Sequence, residues 1–254
     1  MTTTLRLAVL SDIHGNLDAL QAVLADLESS GGADHILVLG DLSAFGPDPG
    51  ACIQAVKAIP DAKVIHGNTD RYLFTGVRPL MPEPVEDKWE SMPKITRLRD
   101  AVFSWSLEHI GWEEIDYLMK LPTDLSMEVE GYGWIVGFHA IPGNDEGVLL
   151  PDASEHEIRD ALLDREGRLA FGGHTHLPAD RDTGDWRFVN PGSVGLPYDG
   201  DNRASYAVIT FEDDVAAVDI RRIAYDVETV IAKLEAGGYP ALEMQSRRLR
   251  EAHP

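Results

Sequence analysis

The chain has 254 residues, of which 44% are hydrophobic, with 22 basic against 43 acidic residues and a formal net charge of −21. That length can bury one large core, or one core with a small appendage. The acid excess excludes a nucleic-acid-coating role and disfavours anionic lipid, since both need basic surface, but a cation-lined cleft would still admit an anionic substrate. No apolar run reaches the ~20 residues that span a bilayer, and Met1 to Arg6 lacks the layout of a secretory signal. Cys52 is the only cysteine, so no internal disulfide can form. Together these features predict a protein of the cytoplasm.

In chain order, Leu5 to Leu10 reads as a buried strand, followed by the loop Ser11-Asp12-Ile13-His14-Gly15-Asn16 and by helical apolar spacing from Leu17 to Leu27. Asp12 and His14 therefore stand at the carboxyl end of a strand, where open α/β sheets place their sites. The next strand, His35 to Leu39, runs into Gly40-Asp41. A loop over residues 43–50 precedes a helix starting at Pro49 and reaching Ile59. A third strand, Lys63 to His66, ends in Gly67-Asn68-Thr69-Asp70. The separations of 29 residues from Asp12 to Asp41 and 27 from Asp41 to Asn68 each fit one β-α-β crossover.

Residues 76–94 hold Pro79, Pro82, Pro84 and Pro93 and read as an irregular connection. Helical spacing over 95–121 predicts a hairpin across the mouth of the sheet, acting as a simple packing pair or as a lid. The predicted strand Trp134 to Phe138 ends at His139, and a helix is expected from Ala153 to Asp164. A short strand, Leu169 to Phe171, leads to Gly172-Gly173-His174-Thr175-His176. Strands over 125–129, 187–189, 205–211 and 215–223 and helices over 226–234 and 241–250 complete the prediction. No linker suggests a second unit, so residues 1–254 are expected to form one domain with a helical insertion near 86–121.

Seven residues at strand ends form a candidate constellation: Asp12, His14, Asp41, Asn68, His139, His174 and His176. Each has a glycine within three residues, which lets the backbone turn sharply and approach a ligand closely. Three oxygen donors and four imidazoles exceed one tetrahedral ion with an open position. They suit two ions ~3.5–4 Å apart sharing a carboxylate, and Asp41, on the middle strand, is the natural bridge. Nitrogen and oxygen donors without thiolate suit Mn²⁺ (favoured), Fe, Zn²⁺, Co²⁺ or Ni²⁺ better than Ca²⁺ or Mg²⁺.

The ordered motifs D-x-H, G-D, G-N-x-D, a lone strand-end histidine and G-H-T-H resemble the calcineurin-like metallophosphoesterase superfamily, with most similarity to its small prokaryotic phosphodiesterase branch, which also carries N-P-G-S as at 190–193. The resemblance covers Leu7 to Ser193. It implies an α/β fold, an α-β-β-α four-layer sandwich of two mixed sheets, with one metal on Asp12, His14, Asp41 and His176 and a second on Asp41, Asn68, His139 and His174. The implied activity is hydrolysis of a small anionic phosphodiester by a hydroxide bridging the ions, with Asp41, Asn68 and His139 carrying the catalytic roles. Asp70 is expected to orient a ligand histidine, and Arg71 either binds phosphate or is an exposed helix-end charge.

Two departures stand out. Thr69 occupies the place of a histidine that the phosphatase branches use beside the leaving group, which argues against protein phosphatase activity. His139 is flanked by Phe138 and Ala140 instead of glycine, so the Phe138 ring either narrows the approach or packs. Phosphomonoester hydrolysis and a non-catalytic metal-binding scaffold on the same fold are the alternatives. A dinuclear amide or lactone hydrolase lacks its H-x-H-x-D-H signature here.

Overall fold

The computed structural model describes residues 4–79 and 92–254. Two mixed five-stranded sheets are flanked, among those residues, by eight helices. The first sheet begins with β1 (Thr4–Leu10), crosses through α1 (Leu17–Ser29) to β2 (His35–Val38), then through α2 (Pro49–Lys57) to β3 (Lys63–Val64). These three strands are parallel, and β1 also pairs antiparallel with β9 (Ala204–Glu212), which pairs with β10 (Val215–Ile223). In the second sheet, β4 (Asp124–Val129) lies antiparallel to β5 (Gly133–Phe138). Then β6 (Leu169–Phe171) and β8 (Arg187–Asn190) follow in parallel, and β7 (Ala179–Asp182) closes the edge antiparallel to β8.

Strand alternation builds the layers, because successive side chains leave a strand on opposite faces. Leu7, Val9, Leu37 and Leu39 meet Ile135, Leu169, Phe171 and Val189 between the sheets. Ala8, Leu10 and Val38 point the other way, onto α1 and α2 through Leu20, Val23, Ile53 and Val56. On the outer face of the second sheet Val136, Phe138, Ala170 and Phe188 pack with Ile158 and Leu162 around α6 (Glu155–Ala161), which opens on a Ser154–Glu157 capping box. Phe138 is fully buried and its ring stacks with Phe188 at 6.3 Å, so it packs and does not obstruct the approach to His139.

The insertion resolves into α4 (Met92–Glu108) and α5 (Trp112–Lys120), with 86–91 outside the described residues. Its helix α4 joins α7 (Val227–Ala236) and α8 (Leu242–Glu251) around Trp105, Val230, Leu234 and Leu249. Three elements differ from the sequence reading or are absent from it. The third strand is only two residues long, against the four expected, and Asn68 opens a helix, α3 (Asn68–Thr75), for which the sequence reading gave no bounds. The edge strand β7 has the sequence Ala-Asp-Arg-Asp, whose polar residues give no apolar alternation to read.

Candidate metal centre

The parallel strands β1, β2 and β3 end side by side, and so do β5 and β6 of the facing sheet. All seven predicted residues meet where these ends converge. The loops that carry them are bent into the left-handed region, with φ of 56° at Asp12, 50° at His14, 53° at Asp41, 65° at His174 and 59° at His176. Such backbone costs a non-glycine residue about 1–2 kcal/mol, so the fold holds five strained residues around one point. Two glycines allow the closeness. A Cβ on Gly67 would lie 2.1 Å from Asp41 Oδ1, and one on Gly173 would lie 1.9 Å from Ser11 Oγ and 2.7 Å from Asp12 Oδ2.

Asp12 Oδ2 accepts hydrogen bonds from Ser11 Oγ at 2.6 Å and from the His174 backbone N–H at 3.0 Å. Its other oxygen, Oδ1, is buried without a hydrogen-bond partner and faces His176 Nε2 at 3.3 Å and His14 Nε2 at 3.7 Å. Asp41 Oδ1 accepts from Thr69 N–H at 2.9 Å. Asp41 Oδ2 lies 3.6 Å from His14 Nε2 and 3.5 Å from His139 Nε2. One carboxylate oxygen therefore stands between two groups. The first is Asp12, His14 and His176; the second is His139 with Asn68, whose Oδ1 is 2.9 Å from His139 Nε2 and 3.0 Å from His174 Nδ1.

The tautomers follow from the outer partners. His139 Nδ1–H donates to the Leu39 carbonyl at 2.7 Å, and His176 Nδ1–H donates to the Leu196 carbonyl. Both rings thus present an Nε2 lone pair inward when neutral. His176 Nε2 is 3.0 Å from His14 Nε2, and His139 Nε2 faces two oxygens that are themselves acceptors. Lone pairs converging on shared points, beside the orphaned Asp12 Oδ1, fit a divalent cation in each group.

The electrostatics agree. Burial opposes ionisation of Asp12, but His176 and then His139 together hold the carboxyl at about 2. Asp41 stays well below the usual carboxylate range despite burial, because His139 and then His14 face it. Burial pushes His14 down to about 4 and also lowers His174. His139 goes the other way: burial disfavours its cation, yet Asp41 raises it to about 10. A proton on His139 thus takes the place between Asn68 and Asp41 that a metal ion suits.

Asp70 contacts no imidazole, contrary to the role expected of it. Its carboxylate accepts from the backbone N–H groups of Leu42 (3.1 Å), Ser43 (3.3 Å) and Gly67 (3.1 Å) and from Ser43 Oγ (3.0 Å). It braces the loop that presents Asp41. Burial and the nearby Asp41 charge push Asp70 up to about 7, against those donors. Arg71 is neither a free helix-end charge nor open to phosphate: Asp145 takes its Nε at 2.6 Å and its Nη2 at 2.8 Å, and Glu146 binds the same Nη2 at 2.5 Å. Thr69 gives its hydroxyl to the Ser43 carbonyl at 3.4 Å.

Sequence reasoning did not find the second set of supports. Ser193 Oγ–H donates to the Asp12 carbonyl at 2.7 Å, and Asn190 Nδ2 donates to the Gly173 carbonyl at 2.9 Å. Residues 190–193 therefore tie the Asp12 loop to the loop of His174 and His176. Beside the centre opens a cavity of about 560 Å³ with walls that are mostly aromatic and aliphatic, including Phe45, Tyr72, Phe103 and Tyr198. Among the described residues no helix is long and apolar enough to cross a membrane.

Comparison with known proteins places this geometry. The family model for the calcineurin-like phosphoesterase superfamily domain matches residues 5–214. Uncharacterized protein MJ0912 of Methanocaldococcus jannaschii is 29% identical over 251 residues, covering 92% of this chain and 93% of its own. Phosphodiesterase YfcE of Escherichia coli is 26% identical over 238 residues, covering 91% and 97%. The crystal structure of a metallophosphoesterase from Sphaerobacter thermophilus superposes with a TM-score of 0.76 at 26% identity, over 98% of this chain and 100% of that one. With a matched domain that contains every strand-end donor and the fold those donors require, the chain belongs to the calcineurin-like phosphoesterase superfamily.

Proposed function

We propose that the protein is a dinuclear-metal phosphodiesterase acting on a small phosphodiester. The observation that carries this reading is Asp41 Oδ2, placed within 3.6 Å of one donor group and 3.5 Å of the other. Asp12, His14, Asp41 and His176 would hold one divalent transition-metal ion, and Asp41, Asn68, His139 and His174 the second. Bound there, such ions supply a water acidified toward neutral pH and positive charge for the phosphoryl oxygens.

The chain's own residues do the rest. Leu39 and Leu196 carbonyls fix the His139 and His176 rings so that Nε2 faces inward. Asn68 Oδ1, between His139 and His174, leaves its amide NH₂ as a donor for a phosphoryl oxygen. Thr69 offers no imidazole to protonate a leaving group, so esters with acidic leaving groups are favoured. A diester fits better than a monoester. The Arg71 guanidinium that could balance a monoester dianion is taken by Asp145 and Glu146, and the adjoining cavity wall is chiefly apolar and suits a second ester substituent. The kinship with a protein named a phosphodiesterase over 91% of the chain supports the same choice.

The test uses metal-stripped protein reloaded separately with Mn²⁺, Fe²⁺, Co²⁺, Ni²⁺ or Zn²⁺. Hydrolysis of bis-p-nitrophenyl phosphate faster than of p-nitrophenyl phosphate, with at least one metal, is the expected result. Preference for the monoester with every metal would overturn the diester assignment, and no turnover of either ester would return the chain to the scaffold alternative.

A further inference from the structure

The cavity beside the centre has a far wall that the matched family domain does not supply. Tyr239 and Arg248, which line it, lie beyond residue 214, where the family match ends. Both bring unused donors. The Tyr239 side chain is 4% exposed, and its hydroxyl is buried with no hydrogen-bond partner. Arg248 Nε is likewise buried without a partner, and among the described residues no carboxylate pairs with the guanidinium. In a chain of net charge −21, carboxylates to pair with it are plentiful, and Arg250 on the same helix is held by Glu228 at 2.7 Å. Arg99, in the same cavity, donates to Asp100 at 2.9 Å and to the Pro79 carbonyl at 2.8 Å.

Buried donors left without acceptors are costly, about 1–3 kcal/mol each, so each calls for a physical reason, a bound anion being one. Between this corner and the metal centre the wall is aromatic. Phe45 lies 5.1 Å from the His14 ring and 5.8 Å from Phe103, which in turn lies 5.7 Å from Tyr72. Tyr198 stacks on His176 at 4.4 Å. Arg248 lines the same cavity as Tyr198 and Tyr239, and its positive charge opposes the rise that burial imposes on both hydroxyls. A volume of about 560 Å³ falls within the range that encloses a ligand of nucleotide size.

We infer that Arg248 and Tyr239 form an anion subsite, and that the substrate is a phosphodiester carrying an aromatic group for the ring-lined wall and a second anionic group, such as a phosphate, for the Arg248 corner. This rests on the phosphodiesterase reading for the metal end and adds to it the specificity of the other end. The guanidinium supplies charge-assisted hydrogen bonds and Tyr239 a neutral one. Aromatic faces accept a base or aryl ring by stacking or edge contact. Neither residue touches the reacting phosphorus, so both act on substrate choice.

The experiment compares thymidine 5′-(p-nitrophenyl phosphate) with and without a 3′-phosphate, following nitrophenolate release. In parallel, calorimetry measures binding of thymidine 3′,5′-bisphosphate and of thymidine 5′-monophosphate to metal-stripped protein. In the wild type the added phosphate should improve kcat/KM and Kd by about tenfold or more, the worth of one charge-assisted contact. Arg248→Met should bring both ratios close to one, Arg248→Lys should restore part of them, and Tyr239→Phe should lower them by a smaller factor. A wild-type ratio near one in both arms, or a ratio untouched by Arg248→Met, overturns the subsite. Absence of turnover of either ester with every metal would instead strike the phosphodiesterase reading, and the binding arm would still decide the subsite on its own.

Discussion

Replacing Asp41 by Asn isolates the shared carboxylate. The amide oxygen can keep the 2.9 Å bond from Thr69 N–H, which places the NH₂ where Oδ2 now stands, 3.6 Å from His14 Nε2 and 3.5 Å from His139 Nε2. An acceptor common to both groups becomes a donor, and one full negative charge is lost. At about 4 Å and an effective dielectric near 20, a unit charge pair is worth roughly 4 kcal/mol, or about a thousandfold in affinity for a cation. Metal-dependent hydrolysis of bis-p-nitrophenyl phosphate at micromolar Mn²⁺ should therefore fall by about a thousandfold or more. The fold should survive, because the Thr69 bond is kept. Thermal melting separates the two effects. Saturating metal at 100 times its Kd stabilises the wild type by about 2.7 kcal/mol, a rise of roughly 5–10 °C for a chain of this size. In Asp41→Asn that rise should vanish, while the metal-free midpoint stays within a few degrees of the wild type. Undiminished activity together with a wild-type metal response in the variant would refute the reasoning.

Other substitutions probe the supports. Asp70→Asn turns one oxygen into a donor facing backbone N–H groups at Leu42, Ser43 or Gly67. It should cost about 2–4 kcal/mol and weaken metal binding though Asp70 faces no ion position; a calorimetric Mn²⁺ Kd equal to that of the wild type would contradict this. Gly173→Ala drives a Cβ to 1.9 Å from Ser11 Oγ and 2.7 Å from Asp12 Oδ2. Turnover should be lost with every metal, and retention of half the activity would show that the loop yields easily. Asp26 in α1 accepts from Arg221 at 2.8 and 3.0 Å and from the Tyr206 hydroxyl at 2.6 Å; the Arg221 bonds first, and then the Tyr206 hydroxyl, hold its carboxyl below the ordinary value. Its contribution is therefore full above the unfolded pKa of about 3.9 and is lost as pH falls through the lower folded value. Urea melts should show Asp26→Asn about 1 kcal/mol less stable at pH 7, with a gap that narrows on acidification; a widening gap would contradict the sign.

How legible the site was depended on what each residue contacts. Asp12, His14, Asp41, Asn68, His139, His174 and His176 follow apolar runs, and parallel connectivity alone carries strand ends to one edge, so their convergence could be argued from spacing. The roles of Asp70 and Arg71 could not, because the partners are backbone amides of residues 42, 43 and 67 and acids about 74 positions away at Asp145 and Glu146. The bounds of helix α3, implied only by Arg71 as a helix-end charge, could not be placed because the strand before it is two residues long and its first turn is wholly polar. Strand β7 was missed because an edge strand held by backbone pairing to β8 needs no apolar face. Tyr239 and Arg248 gave no signal at all: in sequence they belong to an amphipathic helical tail, and only the packing of α7 and α8 beside α4 brings them to the cavity.

The central claim is that Asp41 is shared between two ion positions. Anomalous diffraction at the manganese edge, on crystals grown with Mn²⁺, measures this directly. Two peaks ~3.5–4 Å apart on either side of Asp41 Oδ2 are the predicted result. A single peak, or two that do not share Asp41, would contradict it.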